Sequence, residues 1–242
     1  MKIVQLEKPN LQKVKMNCDG VIHDKLLKYP MIAEAFSTTN FTVICGRMGQ
    51  GKTSLLTSFV KNIWKKCFET IYVFMPSNSR ESIENDIYGK NLPGNQLFDT
   101  LTAEALQDVY KRCQEDSKDG YHSLLIIDDF QAQLKDKHIL LVLQKIITKM
   151  RHLRTTVVLL QQNFQALHKP LRELVSNLVC FNLGKSQLEK VFDEIVQIDK
   201  DKYQQLIDLC YKEPHDWVLF NLHKSRSIYK GFDLVSFENK SI

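Results

Sequence analysis

The chain has 242 residues and a mass of 28.2 kDa, with 43% hydrophobic and 25% charged residues. That makes one large domain or two small ones with apolar content for a sizeable core, and excludes collagen-like, disordered and coiled-coil classes. The formal net charge of +5 permits contact with a polyanion without demanding one.

Residues 1–40 are mixed polar and basic, with a turn signal at Asp19-Gly20, a break at Pro30, and Met31, Ile32, Ala35 and Phe36 at helical spacing. They predict a lead-in arm carrying one short helix, ahead of a single domain over 41–242. No apolar run exceeds about six residues, against the ~18 needed to span a bilayer, and 1–11 lacks the apolar region of a signal peptide. The expectation is a soluble intracellular protein without a membrane-spanning segment. Its cysteines (Cys18, Cys45, Cys67, Cys113, Cys180, Cys210) have mostly apolar neighbours and no C-x-x-C pairing, the pattern of reduced core thiols. The histidines show no metal-ligand spacing, and no Ser–His–Asp or Cys–His nucleophile pattern is present.

From Phe41 onward, brief apolar runs alternate with amphipathic stretches. The runs are Phe41 to Cys45, Thr70 to Met75, Ser123 to Ile127, Thr155 to Leu160 and Leu178 to Asn182. Such alternation predicts βαβ units around a mostly parallel sheet flanked by helices, an α/β fold. Helical spacing is carried by Leu55, Leu56, Phe59, Val60 and Ile63, by Leu106, Val109, Tyr110 and Cys113, and by Ile139, Leu143, Ile146, Ile147 and Met150. A fourth set, Leu188, Val191, Phe192 and Ile195, opens on Ser186-Gln187-Leu188-Glu189, a capping box. Residues 217–234 predict a closing hairpin, Trp217 to Leu222 and Ile228 to Phe232, turning at 223–225.

Gly46-Arg47-Met48-Gly49-Gln50-Gly51-Lys52-Thr53 satisfies G-x-x-x-x-G-K-[ST] between a strand and a helical pattern. Glycines let successive backbone N–H groups converge on phosphates, and the following helix adds its positive end. Nucleotide contacts are therefore expected from Gly46 through Thr53 and Ser54, with Lys52 on the β and γ phosphates of ATP and Thr53 on Mg²⁺. Kinases, switches and motors share such a site. The run Leu124 to Ile127 ends in Asp128-Asp129-Phe130. Asp128 is the natural Mg²⁺ partner alongside Thr53, and Asp129 the general base for an attacking water. Together the two motifs predict a P-loop NTPase of the additional-strand, RecA-like type.

Gln161-Gln162 follows the strand from Thr155, where an amide reaches the ligand-bearing edge of a parallel sheet. Gln162 is the preferred γ-phosphate sensor and Gln161 the register alternative. Arg151 precedes that strand, at the edge away from its own phosphates, so it is expected to act in trans on a neighbour in a ring; Arg154 and Arg172 are the alternatives. Basic residues on loops that could meet a polyanion are Lys135 and Lys137, Lys169 and Arg172, and Lys224, Arg226 and Lys230. Trp64-Lys65-Lys66 instead ends a helix, where cations complement the dipole. Ser77 to Arg80 continues the second strand into a polar loop near either the nucleotide or a subunit interface.

The set Gly46 to Thr53, Leu124 to Phe130, Arg151-His152, Gln162 and Leu171-Arg172 through Asn177 resembles the FtsK–HerA superfamily of DNA-translocating ATPases. Within it, the genome-packaging ATPases of large eukaryotic DNA viruses and virophages are the nearest likeness. The resemblance covers roughly residues 30 to 235, including Tyr229 to Asp233, similar to the family's closing strand. It implies a homo-oligomeric ring that hydrolyses ATP to push double-stranded DNA into a preformed capsid. It further implies a capsid or portal-vertex partner, and a location in the host cytoplasm (viral factory) or virion. The chain departs from the family in having Asp129 where Glu is common. A small-molecule kinase is disfavoured, because it would need no acid pair and sensor amide to activate water. A GTPase switch is disfavoured by the lack of an Asn-Lys-x-Asp segment, while a DNA-handling ATPase of transposition or helicase loading would share every motif.

Overall fold

Short runs rich in β-branched and aromatic residues, set between turn signals, become strands here because both faces of the sheet they form are covered. The computed structural model describes residues 2–4, 36, 39–64, 67–81, 88–89, 92–197, 199–222 and 227–236. In chain order the elements are β1 (Lys2–Val4), β2 (Phe41–Cys45), α1 (Lys52–Ser58, continued as a π turn over Phe59–Ile63), β3 (Thr70–Phe74) and α2 (Ser77–Glu81). There follow β4 (Leu97–Phe98), α3 (Ala103–Lys118), β5 (Ser123–Ile127), α4 (Lys137–Thr148), β6 (Thr155–Gln161), α5 (Lys169–Arg172) and β7 (Asn177–Phe181). The last are α6 (Lys185–Val191, continued as a π turn over Phe192–Val196), α7 (Tyr203–Cys210), β8 (Trp217–Asn221), β9 (Ile228–Lys230) and β10 (Asp233–Ser236).

All ten strands join one sheet in the order β1-β10-β9-β8-β7-β2-β6-β5-β3-β4. From β7 to β4 the pairing is parallel, and from β7 to β1 antiparallel. The mostly parallel sheet with flanking helices is the expected one. Its diagnostic feature is β6, inserted between β2, which leads into the glycine loop, and β5, which ends at Asp128. That insertion is what the additional-strand type means, and it brings the carboxyl ends of β2, β5 and β6 side by side.

Alternating side chains send Phe41, Val43 and Cys45 to one face and Ile44 to the other. On the first face α3 contributes Leu106, Val109, Tyr110 and Cys113, and α4 contributes Ile139, Leu143, Ile146 and Ile147, all buried. Each such aliphatic side chain stabilises by about 1.5–3 kcal/mol. Thr102 caps α3 by accepting from the Ala105 amide at 3.2 Å, and Asp136 caps α4 from the His138 and Ile139 amides. On the second face Phe36, Leu56, Phe59 and Trp64 pack on Ile44, Ile126 and Val158. Five cysteines, Cys45, Cys67, Cys113, Cys180 and Cys210, are buried, as expected of core thiols. Burial pushes the Cys180 thiol up to about 12 and Cys113 up to about 11.

Several expectations are corrected. The C-terminal hairpin is a three-stranded meander, because Gly231, at φ 57°, turns the chain between Lys230 and Asp233 and starts β10. Lys2–Val4 pairs with β10 as an edge strand, within the stretch expected to be an arm with only a helix. The capping box at Ser186 is not used: α6 begins two residues earlier than that cap implies, with Gly184 at its N-cap and no side-chain cap. Strand β4 and helix α7, which buries Tyr203, Leu206 and Cys210, were not expected. The Asp19-Gly20 turn, Pro30, Met31, Ile32, Ala35, Cys18, Lys65, Lys66, the turn at 223–225, Lys224 and Arg226 lie outside the described residues.

Candidate functional site

The glycine loop starts where β2 ends, and its anchoring begins in the sheet: the Gly46 N–H donates to the Gln161 carbonyl at 3.0 Å. A Cβ at Gly46 would lie 3.0 Å from both the Phe181 side chain and Gln50 Oε1, so the close approach needs glycine. Gly49 and Gly51 have φ of 79° and 94°, backbone that only glycine adopts without strain. Arg47 and Gln50, expected within the phosphate-contacting loop, direct their side chains elsewhere. The Arg47 guanidinium donates to the Leu183 carbonyl at 2.9 Å, and Gln50 Nε2 to the Asn182 carbonyl at 2.6 Å. The loop is thereby tied to the turn after β7. From the other side His215 Nδ1 donates to the Gln50 carbonyl at 3.0 Å.

Behind the loop a cavity of about 400 Å³ opens at the carboxyl edge of the sheet. It is lined by Met48, Gly49, Gly51, Lys52, Thr53 and Ser54 from the loop and α1, and by Asp128 and Asp129 from the end of β5. Leu160, Gln161 and Gln162 from β6 and its end, with Ser79 and Gln131, complete the wall. The two sequence motifs and both glutamines therefore meet in one place. Lys52 Nζ donates to the Arg47 carbonyl at 3.0 Å, across the mouth of the loop. Desolvation lowers the Lys52 ammonium from its ordinary value, a shift that the Asp128 carboxylate partly offsets.

Thr53 Oγ1 donates to Asp128 Oδ2 at 2.9 Å, linking the two motifs directly. Asp128 is only 5% exposed. Burial pushes its carboxyl up to about 6, against the pull of the Thr53 hydroxyl and Lys52. Its folded pKa lies above the usual carboxylate value, so the native state gains protons relative to the unfolded chain and loses stability as pH rises through about 4 to 6. Above that window the buried charge is a constant penalty, about 3 kcal/mol for a shift of this size. Asp128→Asn is therefore expected to raise the melting temperature at pH 7.5 in the absence of nucleotide and magnesium, and to change it little at pH 4; thermal denaturation at the two pH values checks this.

A hydroxyl and a buried carboxylate held 2.9 Å apart form the hard oxygen donor set that suits Mg²⁺, which takes few protein ligands and completes its shell with water and phosphate. Asp129 is exposed and sits at φ 63°, in the left-handed region that Asp tolerates better than most residues. Its Oδ2 accepts from Ser79 Oγ at 3.0 Å, and the residue lines the cavity. Gln161 is 2% exposed, and its Nε2 has no partner among the described residues, whereas Gln162 is exposed at the rim.

The arginines separate clearly. Arg151 is exposed in the turn before β6, about 20 Å from the Gln161 end at roughly 3.3 Å per residue. Arg154, at φ 49°, donates to the Gly120 carbonyl at 2.6 Å. Arg172 pairs with Glu194 at 2.6 Å and donates to the Gln165 and Leu167 carbonyls, so it is committed to holding the α5 region. Of the basic candidates, Lys135 and Lys137 are exposed, Lys169 faces Glu173 at 4.0 Å, and Lys230 pairs with Asp216 at 2.9 Å. The roles of Ser79, Gln131 and His215 escaped sequence reasoning. Only for Ser79 was there a signal, in the polar loop after the second strand.

The profile of the family described as Poxvirus A32 protein matches residues 31–216. Among solved structures, the chain is similar to B204, the DNA-packaging ATPase from Sulfolobus Turreted Icosahedral Virus. The TM-score is 0.61 and the identity 15%, over 82% of this chain and 98% of that one. It is similar also to the genome packaging NTPase B204 from Sulfolobus turreted icosahedral virus 2 in complex with AMPPCP, with TM-score 0.60 and 14% identity over 84% and 100% of the two chains. The pCW3 conjugation coupling protein TcpA, monomer form with ATPgS, gives TM-score 0.53 and 11% identity over 94% and 76%. At such identities these likenesses are of fold. No curated protein matches the chain.

Proposed function

This chain belongs to the poxvirus A32 protein family, and from that premise we propose that it is a viral genome-packaging ATPase that drives double-stranded DNA into a preformed capsid. The observation that carries the reading is the Thr53 hydroxyl on Asp128 inside the glycine-loop cavity, with the Asp129 carboxylate opening on the same space. The structurally similar B204 proteins, one described as a DNA-packaging ATPase and the other as a genome packaging NTPase in complex with AMPPCP, support it.

In this reading the amides of the loop from Gly46 to Thr53 cradle the phosphates of ATP, and Lys52 exchanges the Arg47 carbonyl for β and γ oxygens. Thr53 and Asp128 hold Mg²⁺, which when bound neutralises charge on the phosphates. Asp129, steadied by Ser79, takes a proton from the attacking water. Gln161 is assigned the γ-phosphate contact in place of Gln162, because its enclosed amide nitrogen has no partner among the described residues. Arg151 acts on the neighbouring subunit's site in a homo-oligomeric ring. Exposed Lys135 and Lys137 grip DNA phosphates without reading sequence, as a motor that accepts any genome requires. The capsid or portal-vertex protein is the expected docking partner, in the host cytoplasm or virion. Among the described residues no helix is long and apolar enough to cross a membrane.

ATP turnover by the purified protein with and without double-stranded DNA tests the proposal. DNA-stimulated phosphate release is expected; phosphate transfer to a small acceptor would point to a kinase instead.

A further inference from the structure

The end of β5 sends four consecutive residues to different places. Asp128 stays in line with the strand, its N–H donating to the Phe74 carbonyl at 2.9 Å. Asp129 turns the chain through the left-handed region, at φ 63°. Phe130 then plunges into the core, 3% exposed. The next side chain, Gln131, is thereby returned to the cavity wall, which it lines together with the two carboxylates, Lys52 and residues of the glycine loop. Its backbone is held by the buried Phe130 ring before it and by the turn that encloses it, closed by the Leu134 N–H on the Phe130 carbonyl at 3.0 Å, ahead of the 3₁₀ turn over Gln133–Lys135.

Gln131 Nε2 is enclosed, yet it has no hydrogen-bond partner among the described residues. A buried donor left unmade is destabilising, so such groups are rare unless something else satisfies them. Gln161 Nε2, on the neighbouring strand end, is in the same condition and lines the same cavity. Two neutral amides of the cavity wall thus carry enclosed N–H donors with no acceptor among the described residues, in the company of groups that bind phosphate in the reading above. A donor pair of this kind suits an anionic oxygen that arrives with the nucleotide and gains charge during transfer.

We infer that Gln131 is a further γ-phosphate-contacting residue, its amide donating to a γ-phosphate oxygen together with Gln161. The inference rests on the ATPase reading above, and it separates ATP from ADP. The γ-phosphate is the only part of ATP that ADP lacks, so a residue that touches it discriminates between the two ligands. A residue that merely shapes the loop does not.

The test is binding of ATPγS and of ADP, each with magnesium, to the full chain and to Gln131→Ala and Gln131→Glu, together with KM and kcat for ATP. Gln131→Ala is expected to weaken ATPγS about 10- to 100-fold while leaving ADP within about twofold, and to lower kcat about 100-fold. Gln131→Glu, nearly the same shape, is expected to lose more, since its carboxylate repels the γ-phosphate. Should the alanine variant misfold, the glutamate variant decides alone. Equal losses for ATPγS and ADP, or wild-type values for both, would overturn the inference while the ATPase reading stands. Failure of the unaltered chain to bind ATPγS or turn over ATP would instead overturn the ATPase reading, and this inference with it.

Discussion

Arg151→Ala is expected to reduce ATP turnover by about 10³- to 10⁵-fold, the range over which an arginine finger acts, while leaving each subunit's affinity for nucleotide unchanged. The reason is positional. Arg151 lies in the turn that enters β6, and the glycine-loop cavity lies where β6 ends, about 20 Å further on at the rise of a strand. No rotamer spans that distance, so any contribution to hydrolysis comes from a neighbour. The other two candidates are already engaged, Arg154 on the Gly120 carbonyl and Arg172 on Glu194 and two carbonyls. The discriminating form of the experiment mixes two inactive variants. Lys52→Ala lacks a working phosphate site but retains its arginine; Arg151→Ala has the reverse defect. A mixture that turns over well above the sum of its parts places the arginine in trans. A mixture that stays inactive, or an Arg151→Ala protein with full activity alone, removes Arg151 from the mechanism.

Asp129→Asn is expected to lower kcat by about 10²- to 10⁴-fold, the usual contribution of a positioned general base. The amide keeps the shape of the side chain and an oxygen for the Ser79 hydroxyl, so the local turn survives the change. What it loses is the capacity to accept a proton from water. Affinity for ATPγS should stay within about threefold, because phosphate binding rests on Lys52 and the loop amides. Quench-flow measurement of a single turnover separates this from slow product release. Wild-type chemistry in the variant would move the base elsewhere on the cavity wall. The chain carries one methylene less here than the glutamate common in the family it resembles. The left-handed turn at Asp129 and the Ser79 contact are the local means by which the shorter carboxylate is placed.

The glycine loop and the Asp128-Asp129 pair were legible because each is a contiguous pattern whose geometry is local: glycines with positive φ in one case, a buried strand ending in acids in the other. Helical periodicity likewise placed Leu106, Val109, Tyr110 and Cys113 on the buried face of α3. What failed was tertiary in origin. The Ser186 capping box was overridden because Gly184, packed so closely on Arg47 that a Cβ would lie 2.8 Å from its guanidinium, opens the helix two residues earlier. The meander at β9 and β10 turns on a single glycine inside what read as one continuous strand. Strand β4 has two residues, below the length at which alternation is visible. The choice between Gln161 and Gln162 depends on which side of β6 faces the cavity interior, a register that adjacent glutamines do not reveal. Gln131 became visible only once Asp129 was seen to reverse the chain, and His215 reaches the glycine loop from 165 residues away.

The central claim is that ATP hydrolysis in this cavity moves double-stranded DNA. Displacement of a triplex-forming strand from duplex DNA tests it most directly, because a translocating ring strips the third strand without base recognition. Displacement is expected to require ATP and to disappear in the Lys52→Ala and Asp129→Asn proteins. ATP turnover with the third strand left in place, under conditions where the protein is bound to the duplex, would contradict it.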